Sequence, residues 1–183
     1  MPTRRAVLAA CLWAAVASPS FAADPLWLAG TRQDGAKVVA GDIGGWRLVY
    51  FGYTHCPDIC PLGLQTIGEA LDALGPLATK ITPVFVTVDP ERDTPDLMKN
   101  YVAFFHPRLI GLTPSEEELR GMAKAWRVKY ARVEIGEGRP YLMDHTATIL
   151  LADPDGVAAG RFSHDMGGAK LAEKLRSVLE ARP

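Results

Sequence analysis

An apolar run, Leu48–Phe51, leads straight into Gly52-Tyr53-Thr54-His55-Cys56-Pro57-Asp58-Ile59-Cys60-Pro61, and a helical pattern follows. Two cysteines with three residues between them therefore sit at a strand-to-helix turn. The strand fixes their position, and the helix N-terminus supplies partial positive charge that favours thiolate over thiol. Pro57 and Pro61 lack an N–H and are tolerated only in a first helical turn. The spacing thus predicts a loop or one loose turn over Cys56–Cys60, with the regular helix starting near Pro61. If the pair lies in a helical turn instead, the i, i+4 spacing puts both sulfurs on one face. In either arrangement they can meet on one metal ion or in a disulfide.

The beginning of the chain reads as a separate unit. Thr3-Arg4-Arg5 is a positive n-region, Ala6–Ala17 a short apolar stretch, and Ser20-Phe21-Ala22 offers small residues for cleavage after Ala22. Residues 1–22 are therefore expected to be a cleaved secretory signal, broken too soon by Pro19 to span a bilayer comfortably. The order Thr-Arg-Arg-Ala-Val-Leu also fits a twin-arginine leader, and an uncleaved membrane anchor is an alternative. Leu8-Ala9-Ala10-Cys11 has the form of a lipoprotein box, but almost no apolar segment precedes it. The expectation is an exported, periplasmic protein, tethered to the inner membrane if the leader stays. Removal of the leader leaves two of the three cysteines, Cys56 and Cys60. A single close pair in an exported protein signals a disulfide or a metal site. Closing a ring of about five residues removes little unfolded-state entropy, which argues against a mere staple.

Residues 23–183 are expected to form one domain, as their length and ordinary apolar content suggest. The near-neutral charge excludes nucleic acid as an obvious partner. Leu26–Gly30 and Lys37–Ala40 around Asp34-Gly35 suggest an N-terminal β-hairpin. Arg47–Phe51 and Ile81–Val88 read as buried strands. Between them Leu64, Ile67, Leu71 and Leu74 make a helical stripe that stops at Gly75-Pro76. Thr94 with Pro95 predicts a helix start, and the helix runs to about Phe105. Arg108–Leu112 is a short strand, and Thr113 with Glu116 predicts a capping box for a helix to about Trp126. Val128–Val133 and Tyr141–Met143 are short extended pieces around Gly136-Glu137-Gly138. Thr146–Leu151 and Val157–Phe162 flank a hairpin turn at Asp153–Gly156, and Ala169–Ala181 is a final amphipathic helix. The fold class is α/β, a mixed sheet flanked by helices with an N-terminal β-hairpin. A cysteine pair after the first core strand and a closing β-β-α make the layout thioredoxin-like.

In such a layout, the stretch Tyr141-Leu142-Met143-Asp144-His145-Thr146 enters the strand that faces the cysteine loop. A histidine stands there, where many such proteins place a proline. A third ligand from that position would make a Cys₂His set, which suits Cu(I), can hold Cu(II) and would accept zinc. A strand-end histidine held by a hydrogen bond is the commoner outcome for the residues taken alone. Asp144 is a candidate partner for an imidazole N–H, although strand neighbours point to opposite faces.

Three stretches together resemble the Sco (SenC) copper-binding proteins: Phe51–Pro61 with its CPxxCP loop, Val86–Pro95 with DPERDTP, and Asp144-His145-Thr146. Asp153–Gly156 and Phe162 with His164 fit more loosely, and Leu26–Thr31 matches poorly. The resemblance runs from about Val38 to the end of the chain. It implies a thioredoxin-like fold binding one copper per chain through Cys56, Cys60 and His145. It also implies a role in assembling the CuA centre of cytochrome c oxidase, by delivering copper, by reducing the receiving cysteines, or both. The implied partners are the CuA-bearing subunit, another periplasmic copper chaperone and a thiol reductase.

Other residues read more plainly. His55 is a loop residue next to Cys56, His106 and His164 are solvent-facing, and Met143, Met166, Trp126 and Tyr130 are core. Arg92 and Asp93 are expected to form a loop-fixing ion pair. The competing function is a thiol–disulfide oxidoreductase, in which Cys56 and Cys60 are the redox pair and His145 is dispensable. A peroxiredoxin-like peroxidase is disfavoured, because no threonine–cysteine peroxidatic motif is present.

Overall fold

The computed structural model describes residues 25–138 and 140–182. The leader reading and Cys11 lie outside the described residues. Two antiparallel strands, β1 (Gly30–Arg32) and β2 (Lys37–Val38), form the N-terminal hairpin. It is shorter than the apolar runs suggested. The remaining main-sheet strands are β3 (Trp46–Gly52), β4 (Ile81–Thr87), β5 (Ile110–Thr113), β8 (Thr148–Ala152) and β9 (Ala158–Ser163). The sheet order is β2-β1-β5-β4-β3-β8-β9, with β3, β4 and β5 parallel and the flanking strands antiparallel. This is the expected mixed, thioredoxin-like sheet, and β3 lies near its centre.

Every residue of β3 is buried, so the strand shows no polar alternation. Its neighbours show why. Tyr50 turns towards α1 (Ile59–Leu74), where a Cβ on Gly63 would stand 2.9 Å from its ring. Phe51 turns to the other face and packs at 6.1 Å on Trp126, at the end of α3 (Glu116–Trp126). Helix α1 packs against α4 (Gly168–Ala181), and α2 (Pro95–Phe105) packs against β5 and α1. Pro83 fits inside β4 because β5 pairs only with Val84–Val86, so no β5 partner lies beside the missing N–H.

Helix starts differ from expectation in two places. α1 begins at Ile59, two residues before Pro61, so Cys60 lies in its first turn. Pro61 is compatible because a first-turn N–H has no intrahelical partner. The α3 cap is Ser115, not Thr113. The Glu118 amide donates to Ser115 Oγ, and the Ser115 amide donates to Glu118 Oε2. Thr113 ends β5, where its hydroxyl donates to the Asp93 carbonyl at 2.8 Å. The Thr94 cap of α2 is as expected, accepting from the Leu97 amide.

The pieces on either side of Gly136–Gly138 pair with each other. β6 (Tyr130–Val133) and β7 (Leu142–His145) form a separate two-stranded antiparallel sheet, with Tyr130 opposite His145. The chain reaches β8 three residues after His145. No helix among the described residues is long and apolar enough to cross a membrane.

Candidate metal centre

Cys56, Cys60 and His145 come together where β3, the start of α1 and the end of β7 meet. Their ligand atoms all lie within 4.8 Å of one another. Cys60 Sγ is 3.2 Å from His145 Nε2. Cys60 is wholly buried, and Cys56 is 7% exposed. Gly52, the last residue of β3, makes this possible: a Cβ there would stand 2.8 Å from both Cys60 Sγ and the Phe85 ring. Gly52 is a site residue outside the cysteine–histidine set, and its signal in the sequence is a glycine that closes a buried strand beside a reactive pair, a mark of close approach.

Electrostatics separate the two thiols. Cys56 is held well below the ordinary thiol range, first by its hydrogen bond with Cys60, against the cost of burial, and then by His145 and the amides of Asp58 and Cys60. Those amides belong to the N-terminus of α1, whose first N–H groups have no partner within the helix. Cys60 is pushed up, by the same bond with Cys56 and by burial. The pair therefore favours a single negative charge, with Cys56 the more readily ionised sulfur and Cys60 the one that holds its proton more tightly. The Tyr50 and Tyr101 phenols are raised by burial first and then by the nearby thiolate charge, so both stay neutral.

Asp93 supports the cysteine loop from below. Its side chain is wholly buried. It accepts hydrogen bonds from the Thr54 amide at 2.9 Å, the Thr54 hydroxyl at 2.6 Å and the Thr87 hydroxyl at 2.6 Å. The expected Arg92–Asp93 ion pair is not formed. Arg92 pairs with Asp89 instead, because Asp93 turns inward to the threonines while Arg92 runs outward to the β6–β7 hairpin. His55 sits half-exposed beside Asp93 at 3.5 Å and is outside the three-residue cluster.

His106 is not solvent-facing. It is buried at the end of α2, where its Nδ1 accepts from the Arg108 amide at 3.1 Å. His164 is half-buried, with Nδ1 3.1 Å from the Ala147 carbonyl, and it does not join the cluster. Asp144 is exposed, and His145 Nδ1 is buried with no hydrogen-bond partner among the described residues. Asp144 therefore does not orient the imidazole. Met143 and Met166 pack against the core. Trp126 is core as expected, with its indole N–H donating to the Trp27 carbonyl.

Two buried sulfurs and a half-buried imidazole, close enough to converge, suit a soft or borderline ion of low coordination number. The shared proton on Cys60 must leave when such an ion binds.

A model of the SCO1/SenC family matches residues 29–180. The chain belongs to the SCO1/SenC family. Among its SCO1/SenC relatives, the SCO1 homolog of Homo sapiens, a mitochondrial protein, is 38% identical over 135 residues, which are 73% of this chain and 45% of that protein. The chain spans about half the length of the curated relatives it matches. The SCO1/SenC fold here is similar to that of Arabidopsis thaliana ScoI with copper bound, with a TM-score of 0.77 and 34% identity over 85% of this chain and 99% of that one. Bradyrhizobium japonicum ScoI with copper bound gives a TM-score of 0.72 and 40% identity, covering 84% and 97% respectively.

Proposed function

We infer that the chain binds one copper ion through Cys56, Cys60 and His145 and acts as a copper chaperone in cytochrome c oxidase assembly. The observation that carries this reading is the convergence of two sulfurs and one imidazole within 4.8 Å. Similarity to copper-bound ScoI structures supports the choice of copper. The recipient is the CuA-bearing subunit, whose thiolates take the ion by ligand exchange. A second periplasmic chaperone supplies the copper, and a thiol reductase keeps the pair reduced. The protein works after export, with residues 1–22 as the cleaved leader and residues 23–183 as the working domain.

The thiol asymmetry favours a second activity on the same residues. The Cys56 thiolate attacks one sulfur of a partner's disulfide and releases the other as a thiolate. The Cys60 sulfur, giving up its proton to that thiolate, then attacks Cys56 and releases the second partner sulfur as a thiolate. Two electrons pass to the partner, and a Cys56–Cys60 disulfide remains. His145 is not needed for this step.

The test is copper stoichiometry and Cu(I) competition against a chelator, with the reduced protein and His145→Ala side by side. One tightly held copper, weakened in the variant, supports the chaperone reading. Negligible copper in both, with disulfide reductase activity intact, replaces it with the oxidoreductase reading.

A further inference from the structure

A metal-binding histidine is usually oriented by a hydrogen bond from its second ring nitrogen. His145 Nδ1 has no such partner among the described residues. The ring is held by the contact of its Nε2 with Cys60 Sγ and by packing. It stands edge-on to Tyr53 at 5.9 Å and to Tyr50 at 6.2 Å. The strand that carries it belongs to the small β6–β7 sheet, which shares no ladder with the main sheet. At its base the hairpin is joined covalently to α3 and β8. At the other end of β7 a different fastening is needed.

That fastening is Tyr141. Its ring lies between two guanidinium groups, Arg92 at 3.7 Å and Arg132 at 3.6 Å from the centroid. Its hydroxyl donates to Asp89 Oδ1 at 2.8 Å, and its carbonyl accepts from Arg92 Nη1 at 2.9 Å. Arg92 is itself fixed by its ion pair with Asp89, which is buried in the loop after β4. Arg92 also lies 5.7 Å from the centroid of Tyr53, the ring that packs on His145. One guanidinium therefore touches both the hairpin and the ring that sets the imidazole.

We propose that Arg92 and Tyr141 form a clasp that positions His145 over Cys56 and Cys60, taking the place of the missing hydrogen bond at Nδ1. Arg92 and Tyr141 are positioning residues and touch neither sulfur. The inference rests on the three-residue metal site argued above. Cation–π contacts and a guanidinium fork hold one geometry, which an ammonium does not reproduce.

The experiment uses Tyr141→Ala, Tyr141→Phe and Arg92→Lys, each alone and combined with His145→Ala. Tyr141→Ala leaves the Arg92–Asp89 pair in place, so it opens the clasp without stranding a buried charge. In the reduced, metal-free protein, amide exchange in β6–β7 and at Thr146 should accelerate about tenfold while β3 and β4 are unchanged. Cu(I) affinity should fall roughly 10–100-fold. Tyr141→Phe keeps the stacking and should stay close to wild type, whereas Arg92→Lys should behave more like Tyr141→Ala. In the His145→Ala background, Tyr141→Ala should cause no further loss of copper affinity. Equal losses with and without His145, or unchanged hairpin exchange in Tyr141→Ala, overturn the clasp. A wild type that holds no copper removes the metal reading alone. The exchange of the metal-free hairpin then decides the clasp, for it if the amides accelerate and against it if they do not.

Discussion

The Asp93 carboxyl group receives the Thr54 amide at 2.9 Å, and so anchors the backbone two residues before Cys56 from a loop 39 positions later. The same group takes two threonine hydroxyls. Asp93→Ala would leave three buried or half-buried donors without an acceptor. It should destabilise the fold by about 3 kcal/mol in urea unfolding and weaken Cu(I) binding. Asp93→Asn keeps an acceptor for the Thr54 amide, and the hydroxyls can reorient, so it should cost about 1 kcal/mol. Equal losses in the two variants would contradict this assignment.

Gly52→Ala places a methyl group against Cys60 Sγ and the Phe85 ring. Both must shift inside a packed core, at a cost of about 1–3 kcal/mol. Copper competition should show a weakened site. Retention of wild-type affinity would mean that Cys60 has more room than its contacts indicate.

The thiol asymmetry has a pH signature. Cys56 is depressed, so it is already ionised near neutrality, and its alkylation rate should be nearly flat from about pH 7 to 9. Cys60 is raised, so in that window it still carries the proton that an incoming ion must expel. Affinity for Cu(I) should then rise about tenfold per pH unit, with one proton released per ion. Two ordinary thiols of pKa about 8.5 would release nearly two at the lower end. Titration in weakly buffered solution counts them.

Ser115→Ala removes the α3 cap and should cost about 1 kcal/mol, with copper affinity unchanged. Thr113→Ala should leave the capping box intact. Because Thr113→Ala also loses the bond to the Asp93 carbonyl, amide exchange in the first turn of α3 separates the two, and faster exchange there in Thr113→Ala than in Ser115→Ala would reverse the assignment.

Much of this was legible in the sequence because it depends on local pattern. The apolar strand before the cysteines, the Thr94-Pro95 helix start and the final amphipathic helix are fixed by neighbours in the chain. The errors fall where local patterns compete. Thr113 and Ser115 both precede a glutamate at the capping spacing, and only the end of β5 decides between them. Pro61 fits a helix start, yet a proline serves equally well further inside the first turn. Arg92 and Asp93 are adjacent and oppositely charged, but the fold turns one outward and the other inward. The convergence of His145 with the cysteines rests on the thioredoxin-like layout and on family resemblance. The clasp behind it joins residues 49 positions apart and left no local trace.

Cys56 and Cys60 are near neighbours in the chain, whereas Cys60 and His145 are 85 positions apart. An unfolded chain can still wrap two sulfurs around an ion at little cost. Recruiting the imidazole as well would mean closing a far longer ring, which costs roughly 2–3 kcal/mol more. Only the folded chain supplies the third donor without that cost. An ion that binds all three donors therefore discriminates native from denatured protein mainly through His145. Ligand-induced thermal protection should shrink when that one side chain is removed, even where both sulfurs still hold the ion.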